Sequence, residues 1–440
     1  MRILAVSLAL LVSAIHHGAA AAESQSKAPV SRKKPAAAKV PSPPPERWLT
    51  WGGPRRDFIA PGAGLASSWP PSGPQRLWSR ALGDGYSAIA VEDGVLYTAF
   101  RRGSKDVTTA LDAATGKTVW ESEVEAPFQN AYSEGAGPGP YAMPQVVGDR
   151  IITATAIGKI QSLDKKTGKA VWSRDLYGEL GGTRLQFGYS CHGLAYKDTL
   201  IFLAGGRGSA AVAIRLSDGG IVWKNQSFTN AHSSPLLIEV DGQPQVAALL
   251  AQEAVGFNPD DGQLLWRHRH ATENGLAVST PVWGAGNLLF ISSAYSGGAR
   301  VLHLARQGSG TTVKELWHNP RIQSHFGSVI RVGDYVYLSS GHSGPAFMTA
   351  VEVRTGRTAW QTRDFAKAQL LGSGDKLIVL DEDGNLGLAA ATPQQFQVLA
   401  RSPLLTSRSW TPPTLAGTRL YVRDRKGMMA LELGADSRRK

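Results

Sequence analysis

The sequence predicts an all-β fold, an eight-bladed β-propeller with four strands in each blade. Three observations predict it. A β-hairpin motif that ends in tryptophan recurs along the chain, its copies lie 42 to 52 residues apart, and the composition is rich in turn formers, with 49 Gly and 25 Pro among 440 residues. Short strands repeated at such a period are typical of propeller blades. Helical periodicity is sparse, which agrees with an all-β chain.

The best-preserved copy of the motif is Ala110–Trp120. Alternating apolar residues run into an Asp-x-x-Thr-Gly turn, where Gly116 can adopt a positive φ and Asp112 can accept hydrogen bonds from the turn backbone. A second β-prone run then ends at Trp120. Leu163–Trp172 is a nearly complete second copy. Weaker copies keep the glycine turn and the tryptophan; they are Leu216–Trp223, Asn258–Trp266 and Val353–Trp360, and Trp317 closes a looser one.

The tryptophans, counted from Trp78, define eight blades. Taking each tryptophan as the end of an outermost strand places the blades at residues 79–120, 121–172, 173–223, 224–266, 267–317, 318–360, 361–399 and 400–434. The eighth blade has no tryptophan-ending strand of its own, and Gln75–Trp78 is a spare one. Pairing the two would close the ring and remove the sheet edges at the seam.

The segment before the repeats predicts export. Residues 1–22 combine a basic start, a short apolar run and small residues suited to cleavage, which indicates a signal peptide. Residues 23–47 are rich in Ala, Pro, Ser and Lys and predict a disordered tether. The propeller then occupies residues 48–434, and residues 435–440 form a basic tail. We expect a bacterial periplasmic or secreted protein without a transmembrane segment.

Charge and cysteine content exclude some functions. The formal net charge is +12, but part of it lies in the tether and the tail. Without a basic stretch interleaved with aromatics, nucleic-acid binding is not predicted. Cys191 is the only cysteine, so an intramolecular disulfide is excluded. Because neighbours in a strand point to opposite faces, we interpret Cys191 as buried and inert rather than as a nucleophile paired with His192.

Two further patterns are interpreted as structural. His268 and His270 could form a weak metal pair, but a solvated hairpin is the favoured interpretation. Asp381–Asn385 resembles the start of a calcium loop but lacks the downstream ligands, so a turn is predicted there.

The text Ala-x-Asp-x-x-Thr-Gly-x-x-x-Trp of Ala110–Trp120 resembles the tryptophan-docking repeat of the PQQ-repeat, or quinoprotein-like, eight-bladed β-propellers. The resemblance covers Trp78 to about Leu433 and implies that each tryptophan is wedged between neighbouring blades. Trp48–Arg55 is similar to the lead-in of many exported members. In size and repeat type the chain resembles BamB-like members, the propeller subunits of the bacterial outer-membrane barrel-assembly machinery, although it lacks their lipid-carrying cysteine.

The first strand of each blade lines the central channel, so aligning the blade turns predicts the axial residues. One ring is Tyr86, Tyr141, Ser190, His232, Val278, Phe326, Lys367 and Trp410, and a second ring is Ala88, Met143, His192, Ser234, Thr280, Ser328, Gln369 and Pro412. A mixed aromatic and polar funnel is typical of a ligand site. The candidate binding residues are Tyr86, Tyr141, His192, His232, Phe326, Lys367 and Trp410. The alternative is that these side chains only fill the axis.

Two functions agree with these residues. The favoured one is an exported, monomeric, non-catalytic binding or scaffold module of the cell envelope, with no catalytic residue, cofactor or metal. Its partners would be envelope proteins, bound through the loops Phe128–Tyr141 and Tyr177–Tyr189, or a small ligand on the axis.

The alternative, implied by the resemblance, is a PQQ-dependent dehydrogenase of alcohols or sugars that also binds calcium. Lys367 would then pair with the carboxylates of the quinone, and Trp410 or Tyr86 would stack on its ring. The two axial rings contain no Asp, Glu or Asn to bind calcium, and the sequence has no Cys-x-x-Cys-His haem motif.

Overall fold

The structure, a computed structural model, describes residues 47–62, 64–130, 134–342 and 344–435, and most of its regular secondary structure is β-strand. The strands form eight four-stranded antiparallel sheets, two of which gain a fifth strand. Helix in the described residues is limited to two 3-10 turns, Glu134–Ala136 and Glu273–Gly275, and neither could cross a membrane. The all-β class and the eight-bladed propeller are confirmed. The proposed signal peptide, the tether up to residue 46 and the tail from residue 436 lie outside the described residues.

The strands are numbered in chain order. Three precede the first complete blade: β1 (Arg47–Trp48), β2 (Ile59–Ala60) and β3 (Gln75–Ala81). Blades 1 to 4, each given from the inner to the outer strand, are β4 (Ala90–Glu92), β5 (Val95–Arg102), β6 (Lys105–Asp112) and β7 (Thr118–Glu125); β8 (Gln145–Val147), β9 (Arg150–Ala154), β10 (Lys159–Asp164) and β11 (Ala170–Asp175); β12 (Leu194–Tyr196), β13 (Thr199–Leu203), β14 (Gly206–Arg215) and β15 (Ile221–Phe228); β16 (Leu236–Val240), β17 (Gln243–Leu249), β18 (Glu253–Phe257) and β19 (Leu264–Arg269).

Blades 5 to 8 follow the same plan, and β3 completes the last of them. They are β20 (Val282–Gly284), β21 (Leu288–Ser293), β22 (Gly298–Gln307) and β23 (Gly310–Asn319); β24 (Ile330–Val332), β25 (Tyr335–Ser340), β26 (Phe347–Glu352) and β27 (Thr358–Thr362); β28 (Ala368–Ser373), β29 (Lys376–Asp381), β30 (Asn385–Ala391) and β31 (Phe396–Pro403); β32 (Thr414–Ala416), β33 (Arg419–Arg423), β34 (Gly427–Glu432) and β3.

The ring closes as the sequence predicts. β3 pairs antiparallel with β34, and Trp78 lies opposite Ala430. One detail of the prediction is wrong, because the tryptophans do not end their outer strands. β7 continues past Trp120 to Glu125, which still pairs with Lys105 of β6. The blade boundaries therefore lie a few residues later than predicted.

Tryptophans join neighbouring blades. Trp120 of blade 1 lies on Gly168 of blade 2, and its indole N–H donates to the Lys165 carbonyl at 3.0 Å. Five others donate in the same way to a carbonyl in the next blade: Trp78 to Ala113, Trp172 to Leu216, Trp223 to Pro259, Trp317 to Val353 and Trp360 to Thr392. The structural role that the resemblance implies for the repeat tryptophans agrees with these contacts.

Trp266 is the exception. Blade 5 has no Asp-x-x-Thr-Gly turn, since β22 and β23 form a longer hairpin instead. The Trp266 indole turns into its own blade, where it is buried and donates to Gln245 Oε1 at 2.8 Å. Only a glycine fits below it, because a Cβ at Gly256 would overlap the indole.

The docking contact predicts a difference between two turn glycines of blade 2. Gly168 and Gly148 both have a positive φ, but a Cβ at Gly168 would collide with the Trp120 ring, whereas nothing lies within 4 Å of a Cβ at Gly148. We expect Gly148→Ala to lower the free energy of unfolding by about 1 kcal/mol through its backbone strain alone. Gly168→Ala should lower the free energy of unfolding by about 3 kcal/mol because it also displaces the Trp120 indole. Denaturant unfolding of both variants measures this, and equal losses would contradict the docking role.

Residues 47–60, which we call the plug, cross the propeller axis. β1 adds to the inner edge of blade 1 by pairing with β4, and β2 pairs in parallel with β28 of blade 7. Gly52 and Gly53, both with a positive φ, turn the chain between them. A Cβ at Gly53 would lie 2.7 Å from the ring of Trp48, so the turn requires glycine there. The plug closes one end of the central channel.

Candidate functional site

A cavity of about 330 Å³ lies on the propeller axis. Its wall comes from the inner strands and the residues just before them, and the plug forms its floor. The opposite end lies among the loops that lead from one blade to the next. Aromatic rings and histidines make up much of the lining, which includes Trp51, Tyr86, Tyr141, His192, His232, His325, Phe326 and Trp410.

Six of the seven candidate residues line this cavity: Tyr86, Tyr141, His192, His232, Phe326 and Trp410. Lys367 does not. Its ammonium donates to the His342 carbonyl at 3.1 Å and lies 3.9 Å from Glu382 Oε1. These oxygens hold the side chain at the rim, which corrects the placement of Lys367. That the other six bind a ligand stays a prediction.

Trp51, in the plug, is the main lining residue that sequence reasoning missed. Its indole N–H donates to Thr280 Oγ1 of blade 5 at 2.9 Å, and its ring stacks on His192 with the centroids 4.3 Å apart and the planes 11° apart. Phe58 packs edge-on against it. The lead-in Trp48–Arg55 was the only signal in the sequence, and it carries no indication of where the indole would lie.

His192 has a defined tautomer. Its Nε2 accepts a hydrogen bond from the Met143 backbone N–H at 2.8 Å, so Nε2 carries no proton. The proton of the neutral ring is then on Nδ1, which lies 2.8 Å from Ser234 Oγ and donates to it. Burial, together with the nearby Arg56, holds the pKa of His192 well below its usual value. His192 is therefore a neutral, fully engaged part of the wall.

Two other lining histidines are also neutral. Burial lowers the pKa of His232 to about 4 and that of His325 to about 4. His232 Nδ1 lies 2.9 Å from Ser190 Oγ, and His325 Nε2 lies 2.7 Å from the Tyr295 hydroxyl. At neutral pH these rings contribute shape and single hydrogen bonds but no charge.

A continuous aromatic wall stands on one side of the cavity. The rings of Tyr86 and Trp410 stack with centroids 5.2 Å apart, and Phe326 lies 5.1 Å from Trp410. Cations at the rim already contact two of these rings: Lys367 Nζ lies 5.8 Å from the centroid of Phe326, and the Arg408 guanidinium 5.7 Å from that of Trp410. Glu382 balances both cations, since Arg408 Nη1 lies 3.0 Å from its carboxylate.

The wall also holds one of the long loops. The Tyr86 hydroxyl donates to the Gly135 carbonyl and the Tyr141 hydroxyl to the Gly137 carbonyl, both at 2.6 Å. Burial raises the pKa of each phenol to about 12, so both remain donors at neutral pH. The described part of the Phe128–Tyr141 loop is thus fixed at the mouth.

The lining carries no charge, because none of the described residues that line the cavity is Asp, Glu, Lys or Arg. PQQ carries several carboxylates, and a site for it would need cations or many donors to offset them. The described residues also contain no group of three His, Cys, Asp or Glu side chains placed to hold a metal ion. These residues do not fit a quinone with calcium.

The remaining candidates are structural. Cys191 is fully buried, its thiol lies 3.0 Å from the Ala231 carbonyl, and burial raises its pKa to about 12, so the prediction of a buried cysteine is confirmed. His268 is partly exposed and pairs with Glu315 at 2.7 Å, whereas His270 is fully buried and lies 3.0 Å from Ser293 Oγ. The interpretation as a solvated hairpin is therefore wrong for His270. Asp381–Asn385 forms a turn, as predicted.

Comparison with protein families assigns the repeats. Residues 70–236 and 226–362 match the family described as outer membrane protein assembly factor BamB. One curated relative, the outer membrane protein assembly factor BamB of Burkholderia pseudomallei, is 25% identical over 361 residues, which cover 71% of this chain and 87% of the relative.

Solved structures share the fold. BamB from Moraxella catarrhalis has a TM-score of 0.60 and 18% identity, with 82% of this chain and 99% of that chain covered. The quinohemoprotein alcohol dehydrogenase of Comamonas testosteroni has a TM-score of 0.61 and 12% identity, with 89% of this chain and 81% of that chain covered. At these identities the likeness shows the fold alone, and it does not separate a scaffold from a dehydrogenase.

Proposed function

This chain belongs to the family described as outer membrane protein assembly factor BamB, and on that premise we propose that it is an exported, non-catalytic scaffold of the bacterial cell envelope. Its role would be in outer membrane protein assembly, as the name of its relatives states for them. The sequence of residues 1–22, with its basic start and short apolar run, supports export.

The observation that carries the proposal is the chemistry of the axial cavity. General acid-base and nucleophilic catalysis need a titratable group near neutrality or an activated nucleophile. The described lining contains no carboxylate and no amine, and its histidines are neutral rings with lowered pKa values. Such a cavity supports binding better than it supports proton transfer.

The surface proposed for partners is the mouth of the cavity. The loops from an outer strand to the next inner strand gather at this end of the blades, and Gln129 is exposed on one of them. Arg425 and Asp84 form a two-pronged ion pair at 2.6 and 2.7 Å that braces the same edge. A rim held by such an ion pair suits a protein partner better than a mobile surface does, because less conformational entropy is lost on binding.

The experiment is depletion of the protein in its source bacterium, with heat-modifiable gel migration as the measure of folded outer-membrane barrels. We expect fewer folded barrels, and rescue by the wild-type chain. A photo-reactive amino acid at Gln129 should cross-link to a component of the barrel-assembly machinery. The matched control is Lys166, exposed on a turn at the opposite end of blade 2, which should give no such product.

Normal barrel levels on depletion, or a product equally strong from Lys166, would contradict the scaffold role. The dehydrogenase alternative is tested on the same protein by adding PQQ and calcium and measuring the melting temperature. A saturable rise that Trp410→Ala abolishes would favour the enzyme.

A further inference from the structure

We propose that the axial cavity is a binding site for one neutral aromatic ring system, supplied by a small molecule or by an aromatic side chain. This rests on the proposed function only in treating the protein as a binding module. The cavity volume of about 330 Å³ is at the lower end of the range for small-ligand sites. That size suits a compact ring system and excludes a large polar cofactor.

The floor and wall have the geometry for a flat ligand. Trp51 is held in place from both sides, by its hydrogen bond to Thr280 and by its stacking on His192. Tyr86 and Trp410 are a stacked pair on the wall. Rings fixed in this way offer faces and edges to an incoming ring without having to be ordered first.

Charge selects against ionic ligands. An anion would find no Lys or Arg among the described lining residues, and a cation would find no Asp or Glu. Aromatic faces alone can bind cations. Here, however, the rings of Phe326 and Trp410 already contact Lys367 and Arg408, so these two faces are taken.

His232 offers a ligand a polar anchor on the wall. Both nitrogens of His192 are engaged. Gln369 donates to the carbonyls of Phe326 and Trp410 and accepts from the Ser328 N–H. His232 differs, since Nδ1 faces Ser190 Oγ while Nε2 has no hydrogen-bond partner among the described residues. A ligand with one hydrogen-bonding group, donor or acceptor, on an otherwise apolar ring matches this wall.

Isothermal titration calorimetry of the purified full-length mature protein tests the site. The probes are indole, as a free ring, and N-acetyltryptophanamide, as a neutral side chain; indole-3-acetate and tryptamine are the charged comparators. We expect at least one neutral probe to bind with a stoichiometry near one. Each charged comparator should bind at least about tenfold more weakly than the neutral probe, because its charge would be desolvated without a partner. Binding by indole alone identifies a small-molecule site, and binding by the amide identifies a side-chain site.

Two variants locate the binding. Val278 lines the cavity. The variant Val278→Trp should therefore fill the cavity and abolish binding. The control is Val222→Trp on an outer strand, where the side chain is exposed. His232→Phe keeps a ring and removes the polar anchor, so it should weaken binding about tenfold. This variant tests the site if Val278→Trp does not fold.

The inference is overturned if neither neutral probe binds, if charged probes bind as tightly, or if both cavity variants keep wild-type affinity. Cross-linking from Gln129 is independent of these outcomes. If the cross-links form but no ring binds, only the inference fails. If a ring binds but no assembly component is cross-linked, only the proposed function fails.

Discussion

Replacing Arg423 by Met is expected to lower the free energy of unfolding by about 4 kcal/mol. Arg423 is fully buried in β33 of blade 8, and its guanidinium reaches across the seam to blade 1. It donates to the carbonyls of Ser87 at 3.0 Å, Ala99 at 2.8 Å and Gly85 at 2.8 Å. Burial lowers its pKa to about 10, so it stays charged at neutral pH. Methionine fills similar space but leaves these carbonyls without their donor.

The measurement is denaturant unfolding at neutral pH, with Arg207→Met as the control. Arg207 is exposed on β14 of blade 3, and most surface substitutions change stability by only about 0.5 kcal/mol. The seam between the first and last blades is also held by the Thr411 hydroxyl, which donates to the Tyr86 carbonyl at 2.9 Å. If Arg423→Met lost no more than the control, the seam would not depend on the guanidinium.

Acid is expected to destabilise the protein steeply between about pH 6.5 and pH 4.5. Burial lowers the pKa of His270 to about 3 from its ordinary 6.5, that of His232 and His325 to about 4, and that of His192 well below 6.5. The unfolded chain protonates these rings first and so binds more protons. Stability is therefore complete above pH 6.5 and falls as the pH approaches 4.

Each histidine contributes about 1.4 kcal/mol per pH unit in this window. Asp106 acts in the opposite direction, since burial raises its pKa to about 6, and it offsets about one histidine. The steepest expected slope is thus about 4 kcal/mol per pH unit.

Unfolding curves at a series of pH values test this, and His270→Gln isolates one site. That variant should be less stable at neutral pH, yet its slope should be shallower than that of the wild type by about 1.4 kcal/mol per pH unit. Ser293→Ala is the matched control, because it removes the hydroxyl 3.0 Å from His270 Nε2 but keeps the imidazole. An unchanged slope in His270→Gln would show that this buried ring does not govern the acid response.

The sequence by itself determined the fold class, the number of blades and the closing strand. The reason is that the information is local: a glycine with a positive φ at Gly116 or Gly168 and a tryptophan a few residues later define a hairpin wherever they occur. Repetition then leaves few ways to bury the hairpins except against one another. The axial ring followed from the same alignment, since inner strands must face the channel.

Only the tertiary structure decided what closes the cavity and which residues face it. Trp51 contacts Thr280, 229 positions away in the sequence, and no local pattern predicts such a contact. Trp266 turns inward where the neighbouring blade has a longer hairpin of β22 and β23 in place of the Asp-x-x-Thr-Gly turn. Lys367 leaves the axis because a carbonyl and a carboxylate from other segments hold its ammonium at the rim. These three side-chain positions depend on contacts between residues far apart in the sequence, whereas the hairpins of the blades depend on residues close together in it.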